Sequence, residues 1–334
     1  MMRKPRVASN SENLRIGILG AARVATYAMI EAARDVGGVE VAAIASRSLT
    51  KAQEYAAAHG IARSVEGYEA LIRDPDIDAV YVALPPDVHA HWSIAAAEAG
   101  KPVLCEKPFT LDPLQVEAII AAEARTGMLI MEAQHSHYHP MAARMRDIVR
   151  GGMLGELHHI EALFEADLDE SPGEHRFIEA MGGGALWDLG VYTAYWIRSM
   201  SGAEPVVLSA CETRHAGGAD LATSAQMQLP CGASASLSCN MQAGGVAARL
   251  IARGSNGTLT VNNPLNPQKG HSLILELNGQ DAVTEQFTMR PTFSYQLEAF
   301  RDAVLHGNPV ATRGEDSLKT IQLLDAIRAK ARAQ

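Results

Sequence analysis

The sequence predicts an α/β protein in which an N-terminal doubly wound parallel sheet precedes a C-terminal α+β domain with a large, mostly antiparallel open sheet. Residues 14–133 alternate short apolar runs with helical patterns, which is typical of a parallel sheet covered on both faces. From Leu157 onward the apolar runs are longer and turn residues separate them, which indicates antiparallel strands. The length of 334 residues favours two domains, at about 150 residues for each.

The first domain is predicted over residues 14–134. Its strands are expected where apolar and β-branched residues cluster, at 14–19, 39–45, 79–83, 103–105 and 129–133. Helices are expected directly after the first strand and at 50–59, 88–99 and 113–126. Asp112 and Pro113 are typical of the N-cap and first position of the last of these helices.

The second domain is predicted over residues 135–334. Its β-rich runs lie between 157 and 289, and the segments 255–257 (SNG) and 277–281 (LNGQD) carry residues typical of hairpin turns. Helical patterns at 294–306 and 315–331 close the chain. We expect the open sheet to pair with further copies of the chain, as a homodimer or homotetramer.

Composition and charge exclude several kinds of partner. The chain has 38 acidic and 29 basic residues, and its net charge of -9 disfavours binding to nucleic acid or to anionic membrane surfaces. Its longest apolar runs are far shorter than the roughly 20 residues that span a membrane. The four cysteines show no C-x-x-C spacing, and the basic leader before the first strand lacks the apolar core of a secretion signal. These features predict a cytoplasmic protein.

The loop after the first strand reads GAARVA, where a dinucleotide-binding loop has G-x-G-x-x-G/A. Gly20 suits the tight turn, Ala22 is small enough for close approach of a pyrophosphate, and Ala25 allows the helix to pack on the strand. A chance strand–turn–helix in an alanine-rich chain is the alternative, but the βαβ context favours a dinucleotide site. The predicted contacts from this loop are Gly20, Ala21, Ala22, Arg23 and Val24.

The end of the second strand distinguishes NADP from NAD. An NAD site usually has Asp or Glu there, whereas this chain has Ser46 and Arg47. Arg47 suits the 2′-phosphate of NADP, with Ser46 and Lys51 as further contacts, unless Arg47 is merely solvated at a helix start. NADP(H) is therefore the predicted cofactor, and NAD(H) is the alternative.

Further cofactor contacts are expected where the later strands of this sheet end. Leu84 and Pro85 follow the strand at 79–83, and His89 falls in the first turn of the next helix. Gln134 follows the strand at 129–133 and is expected beside the cofactor and the substrate.

Two segments carry residues suited to catalysis. In VLCEKP, Pro108 shapes a turn that puts Lys107 at the carboxyl end of a strand, the edge at which such sheets bind ligands. In GGGALWDLGVY, a glycine run precedes a helix on which Asp188 and Tyr192, four residues apart, share one face. The alternative readings are a surface lysine, a helix N-terminal charge and a core aromatic.

In this order, the dinucleotide loop, the E-K-P turn and the D-x-G-x-Y helix resemble the Gfo/Idh/MocA oxidoreductases, and the resemblance runs from Ile16 to the final helix. It implies a Rossmann domain and a nicotinamide-dependent interconversion of carbinol and carbonyl on a sugar, polyol or dihydrodiol, with no metal. Lys107 matches the catalytic lysine of the family, and Asp188 matches its helix aspartate. Tyr192 stands where inositol-type members have His, which resembles the branch of glucose-fructose oxidoreductase, dihydrodiol dehydrogenase and xylose dehydrogenase.

The resemblance also implies a role for each residue. Tyr192 exchanges a proton with the substrate hydroxyl, and Lys107 helps the phenol to ionise, because an ammonium ~4 Å away is worth up to ~4 kcal/mol at a dielectric of ~20. Asp188 orients a substrate hydroxyl or the lysine. Glu106 is expected at the nicotinamide ribose. The substrate side is expected to include Arg176 and Trp187, although Arg176 is equally well explained as a surface arginine.

Two other functions are compatible with the sequence. One is a sugar-nucleotide 3-ketoreductase, and the other is a non-catalytic NAD(P)-binding sensor of the same fold. Lys107, Asp188 and Tyr192 argue against a sensor, which needs no group for proton transfer.

Three histidines at alternate positions, 135, 137 and 139, would share one face of a strand and suggest zinc. The family pattern has a histidine before Pro140, so His139 is expected, whereas His135 and His137 depart from it. We therefore predict no metal site and expect the extra histidines and Gln134 to line the sugar pocket.

Overall fold

The structure is a computed structural model that describes residues 13–171 and 173–333. The basic leader, apart from its last residue, lies outside the described residues. The described residues form two compact units. The first contains residues 13–135 together with Phe293–Leu318, and the second contains Ser136–Thr292 together with 319–333.

The first unit is built on a six-stranded sheet whose strands are all parallel. The strands are β1 Leu14–Leu19, β2 Val39–Ser46, β3 Arg63–Glu66, β4 Ala79–Val82, β5 Val103–Cys105 and β6 Ile130–Glu132. Their order, β3-β2-β1-β4-β5-β6, is that of a Rossmann sheet, which binds dinucleotides where the strand order reverses. The predicted doubly wound parallel sheet is therefore confirmed. β3 lacks a strong apolar run and was not predicted.

Helices connect these strands. A continuous helix over residues 23–35 follows β1 and contains a π-helical turn at Thr26–Ile30. The later helices before β6 are Leu49–His59, Tyr68–Ile72, His89–Glu98 and Pro113–Thr126. The predicted cap is confirmed, because Asp112 Oδ1 accepts a hydrogen bond from the Leu114 amide at 2.8 Å and Pro113 begins the helix.

The segment Phe293–Leu318 belongs to the first unit, although the sequence analysis placed all of 135–334 in the second domain. The Phe293 ring packs on His135 at a centroid distance of 4.0 Å and on Tyr27 at 5.3 Å. The backbone of Thr312 accepts from the Glu132 amide at 2.8 Å, and the Thr312 hydroxyl donates to the Glu132 carbonyl at the same distance. These contacts extend the sheet edge beyond β6 with a segment about 180 residues later in the chain.

The second unit contains an eight-stranded sheet in the order β14-β13-β12-β11-β7-β10-β9-β8. All neighbouring strands are antiparallel except β7 and β10, which confirms the mostly antiparallel sheet. The strands are β7 Leu157–Asp167, β8 Val206–Arg214, β9 Asp220–Gln228, β10 Ser234–Asn240, β11 Gln242–Gly254, β12 Gly257–Asn262, β13 Ser272–Leu277 and β14 Val283–Glu285. Burial alternates along β7, so one face of the sheet is covered.

A buried helix covers that face. It starts as a π-helical turn at Leu186–Gly190, continues as an α-helix at Val191–Ser201, and packs against β7 and β10. The helix Pro140–Arg150, which the sequence analysis did not predict, packs beside it. The last helices of the chain are Thr292–His306 and Glu315–Arg332, close to the predicted bounds.

Both predicted hairpin turns are present. Gly254 pairs with Gly257 at the end of the β11–β12 ladder, and Gly279 turns between β13 and β14 with a φ of +74°. The expected strand TEQFTM is shorter than predicted, since β14 ends at Glu285. All four cysteines are free. Within the residues that the structure describes, no helix is long and apolar enough to cross a membrane.

Candidate functional site

The loop after β1 requires glycine at its first position. Gly20 has a φ of +105°, and its amide donates to the Ala45 carbonyl at 2.9 Å. A Cβ added to Gly20 would collide with the carbonyl oxygen of Ala83 and lie 2.9 Å from Leu84 Cδ2. The close approach of this loop to the end of β4 therefore depends on a residue without a side chain.

The helix that follows this loop has the open N-terminus that a phosphate needs. Ala22 is its N-cap, so no side-chain oxygen occupies the first amides, and the first turn carries no acidic residue. The Tyr55 hydroxyl donates to the Ala22 carbonyl at 3.0 Å and lies 2.9 Å from the Thr26 hydroxyl. Tyr55 thus fixes the loop from the neighbouring helix, a role that no local sequence signal indicated.

We expect Gly20→Ala to weaken dinucleotide binding at least about tenfold, a loss of about 1.4 kcal/mol, because the new Cβ must displace Ala83 or the loop itself. Gly60→Ala is the matched control, since Gly60 also has a positive φ but no atom lies within 4 Å of the position that a Cβ would take there. The control should keep wild-type affinity for the dinucleotide. Its unfolding free energy should fall by about 1–2 kcal/mol, because alanine is strained at a positive φ. Thermal unfolding and fluorescence titration with NADPH measure both effects, and equal binding by the two variants would contradict the assignment.

Three cationic side chains lie near the carboxyl ends of β1 and β2. Arg23, Arg47 and Lys51 are exposed, and within the described part of the chain none of them forms an ion pair with a carboxylate. Arg47 lies against the hydroxyl of Tyr68, whose pKa is raised by burial and lowered in part by the Arg47 charge. Uncompensated cations at this edge favour an anionic ligand.

Tyr68 is itself held in place beside β2. The amide of Gly67 donates to the carbonyl of Ser46 at 2.9 Å, and the Tyr68 ring packs edge-on against Trp92 at 4.9 Å. Ser46 is buried, and its hydroxyl lies 3.4 Å from the Ser48 amide. The aromatic pair therefore orients Arg47, although neither aromatic residue carried a sequence signal.

Lys107 directly follows β5 and Glu106, at the carboxyl edge of the Rossmann sheet, as predicted. The Lys107–Pro108 peptide bond is cis, and the Lys107 side chain is half-buried. Glu106 is buried, and its carboxylate accepts from the Tyr81 hydroxyl at 2.6 Å and from the Lys107 amide at 3.3 Å. Burial, followed by the Glu106 carboxylate, raises the pKa of Tyr81 well above its usual value, so Tyr81 stays a neutral donor.

The segments after β4 and β5 meet at His89. This residue begins the helix His89–Glu98 and is buried. Its Nδ1 lies 2.9 Å from the Pro108 carbonyl oxygen and its Nε2 lies 2.7 Å from the Leu84 carbonyl oxygen. Leu84 and Pro85 are half-buried at the predicted edge. Both ring nitrogens of His89 are thus engaged by the protein backbone.

Gln134 is fully buried after β6. Its Nε2 donates to Glu132 Oε1 at 3.2 Å, and the Phe109 amide lies 3.3 Å from the same oxygen. Burial raises the pKa of Glu132 to about 7. Glu132 therefore connects Gln134 to the turn that carries Lys107, and it was not identified from the sequence.

In the second unit, Asp188 forms an ion pair with Arg176. Arg176 Nε donates to Asp188 Oδ2 at 3.0 Å, and Arg176 NH1 donates to Glu174 Oε1 at 2.9 Å. All three side chains are partly buried. The structure thus brings two of the predicted residues together, with Glu174 as a partner that the sequence analysis missed.

The glycine run before Asp188 is required by close packing. Gly184 has a φ of +129°, and a Cβ there would collide with the Asp220 carboxylate. That carboxylate accepts from the Leu186 amide at 2.8 Å, so it caps the start of the helix. Asp188 lies in the π-helical turn, a feature that is frequent at functional sites.

Tyr192 is the second residue of the buried α-helical part of this helix, Val191–Ser201. Its ring packs edge-on against Phe164 at 5.8 Å and beside Trp196 at 6.3 Å, and only 6% of the residue is exposed. Trp187 is also buried, with the guanidinium of Arg328 5.0 Å above its ring. The structure therefore surrounds Trp187 with protein, whereas Asp188 beside it is partly exposed.

The three histidines lie in a 3₁₀ turn, His135–Tyr138, and at the following helix start, so they do not share the face of a strand. His135 packs on Phe293, whereas His137 Nδ1 lies 2.5 Å from the Tyr195 hydroxyl. His139 Nδ1 accepts from the Met141 amide at 3.2 Å. Burial lowers the pKa of both His135 and His137 to about 3. No group of three metal-ligating side chains is found among residues 13–171 and 173–333.

Comparison with known families matches both halves of the chain. Residues 14–134 match the Gfo/Idh/MocA oxidoreductase family, described by its NAD-binding Rossmann fold, and residues 142–260 match the Gfo/Idh/MocA C-terminal domain. A curated relative is 34% identical over nearly the full length of this chain. The chain belongs to the Gfo/Idh/MocA oxidoreductase family. The resemblance that the motifs carried is confirmed, and the chain is an NAD(P)-dependent oxidoreductase.

Two curated relatives show the range of this Gfo/Idh/MocA group. The dTDP-3,4-didehydro-2,6-dideoxy-alpha-D-glucose 3-reductase of Actinomadura kijaniata is 34% identical over 333 residues, 97% of this chain and 97% of the relative. The D-xylose 1-dehydrogenase (NADP(+)) 2 of Haloferax volcanii is 30% identical over 94% of this chain and 96% of its own length.

A solved Gfo/Idh/MocA structure is similar over the whole chain. KijD10, a 3-ketoreductase from Actinomadura kijaniata in complex with NADP and TDP-benzene, has a TM-score of 0.87 and 32% sequence identity, covering 95% of this chain and 98% of its own. Other structures of KijD10 contain a lysine replaced by alanine or glutamate, or a tyrosine replaced by phenylalanine.

Proposed function

We propose that this Gfo/Idh/MocA oxidoreductase interconverts a carbinol and a carbonyl on a sugar, polyol or dihydrodiol with NADP(H), and that Lys107 and Tyr192 handle the proton. The observation that carries the proposal is where the two motif segments, the E-K-P turn and the D-x-G-x-Y helix, lie in the fold. Lys107 follows β5 at the ligand-binding edge of a Rossmann sheet, and Tyr192 and Asp188 lie on a helix that glycines and Asp220 hold in place. The lysine and tyrosine replaced in KijD10 are of the same residue types, which supports both assignments.

The residues of the first unit fit a nicotinamide dinucleotide. The loop at Gly20 has no room for a Cβ, and the helix after Ala22 has no side chain capping its first amides. Both features suit a bound pyrophosphate. Arg47, with Ser46 and Lys51, suits a 2′-phosphate. When bound, the nicotinamide supplies or accepts the hydride.

The residues of the second unit then act on the hydroxyl of the substrate. Tyr192 gives or takes its proton, and Asp188 accepts a hydrogen bond from a neighbouring hydroxyl. Arg176 holds the Asp188 carboxylate through its Nε, at 3.0 Å, and so limits the orientations that Asp188 adopts. Lys107 supplies the positive charge that favours the phenolate of Tyr192.

We expect the wild-type protein to bind NADPH more tightly than NADH, and Arg47→Ala to remove the difference. Charge-assisted hydrogen bonds to the 2′-phosphate are worth about 1.5–3 kcal/mol, so the dissociation constant for NADPH should rise roughly ten- to hundredfold while that for NADH changes little. Fluorescence titration with both cofactors measures this. Arg73→Ala, another exposed arginine of the same unit, is the control and should bind both cofactors normally. Equal wild-type affinity for NADH and NADPH would overturn the NADP preference.

A sugar-nucleotide 3-ketoreductase is the second candidate, favoured by the similarity to KijD10, a 3-ketoreductase, and to the dTDP-sugar 3-reductase of Actinomadura kijaniata. Against it, Arg176 is already paired with two carboxylates, so it is a poor partner for a diphosphate. A panel of aldoses, inositols and trans-dihydrodiols, assayed for NADPH formation, tests the leading proposal. No turnover on the panel, together with micromolar binding of a thymidine diphosphate by calorimetry, would favour the ketoreductase.

We also propose that the protein assembles as a homodimer or homotetramer through the sheet of the second unit. The face of this sheet opposite the buried helix carries ion-paired side chains such as Glu161 and Arg249, and the edge strand β8 exposes Val206 and Leu208. Sedimentation equilibrium at micromolar concentration tests the assembly, and a monomer would contradict it.

A further inference from the structure

His89 contacts two groups that can only accept a hydrogen bond. Its Nδ1 lies 2.9 Å from the carbonyl oxygen of Pro108, and its Nε2 lies 2.7 Å from the carbonyl oxygen of Leu84. Both distances are within the range of ordinary N–H···O hydrogen bonds. A neutral imidazole has one N–H and one bare nitrogen, so it can donate to only one of these oxygens. The other contact would then bring two lone pairs together.

We propose that His89 is a positioning residue that, as an imidazolium, donates to both carbonyls and holds the Lys107 turn against the segment after β4. With both ring nitrogens protonated, each contact becomes a hydrogen bond from a charged donor. The bonds join Leu84, after β4, to Pro108, the residue next to Lys107. His89 therefore acts through the backbone of this turn, and it was expected from the sequence to contact the cofactor directly. This inference rests on the proposed role of Lys107.

The groups around the His89 ring shift its pKa in both directions. Burial lowers the pKa of His89, and the nearby Lys107 ammonium also lowers it. The carbonyls of Pro108 and Leu84 and the carboxylate of Asp87, from the turn before the helix, raise it. Because burial has the largest effect, the second proton is lost more readily than from a free histidine. Raising the pH therefore removes one of the two bonds and loosens the Lys107 turn.

The protonation state is measured directly on the wild-type protein. Nitrogen-15 NMR of the histidine side chains, titrated from pH 5 to pH 8 and assigned with a His89→Asn variant, should show both His89 nitrogens protonated at the acidic end. The loss of one of these protons should coincide with a fall in kcat. A His89 ring that carries a single N–H at pH 5 would overturn the proposal, whether or not any variant folds.

Variants test the positioning role. At pH 5, where the wild-type ring is expected to hold both protons, we expect His89→Asn to lower kcat about tenfold and to leave the dissociation constant for NADPH within about twofold. The variant should also lose the pH dependence that coincides with the His89 titration. His91→Asn, an exposed histidine two residues along the same helix, is the control and should keep the wild-type profile. An unchanged kcat and pH profile in a folded His89→Asn would contradict the inference. Normal turnover in a Lys107→Ala variant would instead refute the proposed function, so the two failures are distinguishable.

Discussion

Replacing Tyr192 with phenylalanine should lower kcat by about 10²- to 10⁴-fold, the usual contribution of a positioned general acid or base. The change removes one hydroxyl and keeps the ring, whose contacts with Phe164 and Trp196 hold the helix. The fold and the affinity for NADPH should therefore be nearly unchanged. Steady-state kinetics on the best substrate of the panel and fluorescence titration of NADPH measure the two quantities.

Tyr195→Phe is the matched control for this variant. Tyr195 is buried on the same helix, and its hydroxyl lies 2.5 Å from His137 Nδ1. Loss of that bond should cost about 0.5–1.5 kcal/mol of unfolding free energy and leave kcat within about threefold of wild type. If both variants lose kcat to a similar extent, the loss comes from a disturbed helix and not from the missing Tyr192 hydroxyl.

Lys107→Ala should lower kcat by about a hundredfold or more and move the remaining activity to more alkaline pH. In the proposed mechanism the ammonium favours the phenolate of Tyr192, by up to ~4 kcal/mol for a separation of ~4 Å at a dielectric of ~20, and its loss leaves a phenol that ionises only in stronger base. Binding of NADPH should change little, because the predicted phosphate contacts lie at β1 and β2. A pH–rate profile of the variant, with the wild type measured alongside, records both effects.

Lys101→Ala is the control at the opposite end of β5. The Lys101 ammonium donates to the Asp74 carbonyl at 2.9 Å and to the Ile77 carbonyl, so its removal should lower the melting temperature. It should not change kcat or the pH of maximal activity. If Lys107→Ala keeps near-normal turnover, the lysine is not part of the proton-transfer machinery and the proposed function fails.

Much of the secondary structure of the first unit was predictable from sequence patterns that span only a few residues. The Asp112-Pro113 cap, the apolar runs of β1 and β2, and the glycine turn at Gly20 each depend on the local backbone and its nearest side chains. Such signals predicted the order of strands and helices and placed Lys107 at a strand end. They failed for β3, where the apolar pattern is weak and packing against neighbours decides the structure. The helix Pro140–Arg150 was missed although its buried residues Met141, Met145 and Ile148 recur at helical spacing and a proline begins it.

The partners of the site residues were less predictable. Arg176 was expected near the substrate, and the structure shows its ion pairs with Asp188 and Glu174. His89 was expected at the cofactor, and the structure shows both its nitrogens on backbone carbonyls. In each case the residue is polar and lies near a motif or a strand end: Arg176 precedes the glycine run, and His89 follows β4. Its partner depends on which loops approach one another after folding.

The sequence by itself determined the fold class and the family, and it supplied the residues that we propose for the chemistry, because strand period, turn residues and the three ordered motifs are local properties of the chain. Only the tertiary structure decided which unit Phe293–Leu318 joins, how Tyr68 orients Arg47, and which oxygens His89 contacts. Apart from the contact between His89 and Leu84, with a sequence separation of 5 residues, these contacts join segments separated by about 20 to 180 residues. Their geometry follows from the packing of whole elements, which no window of neighbouring residues contains.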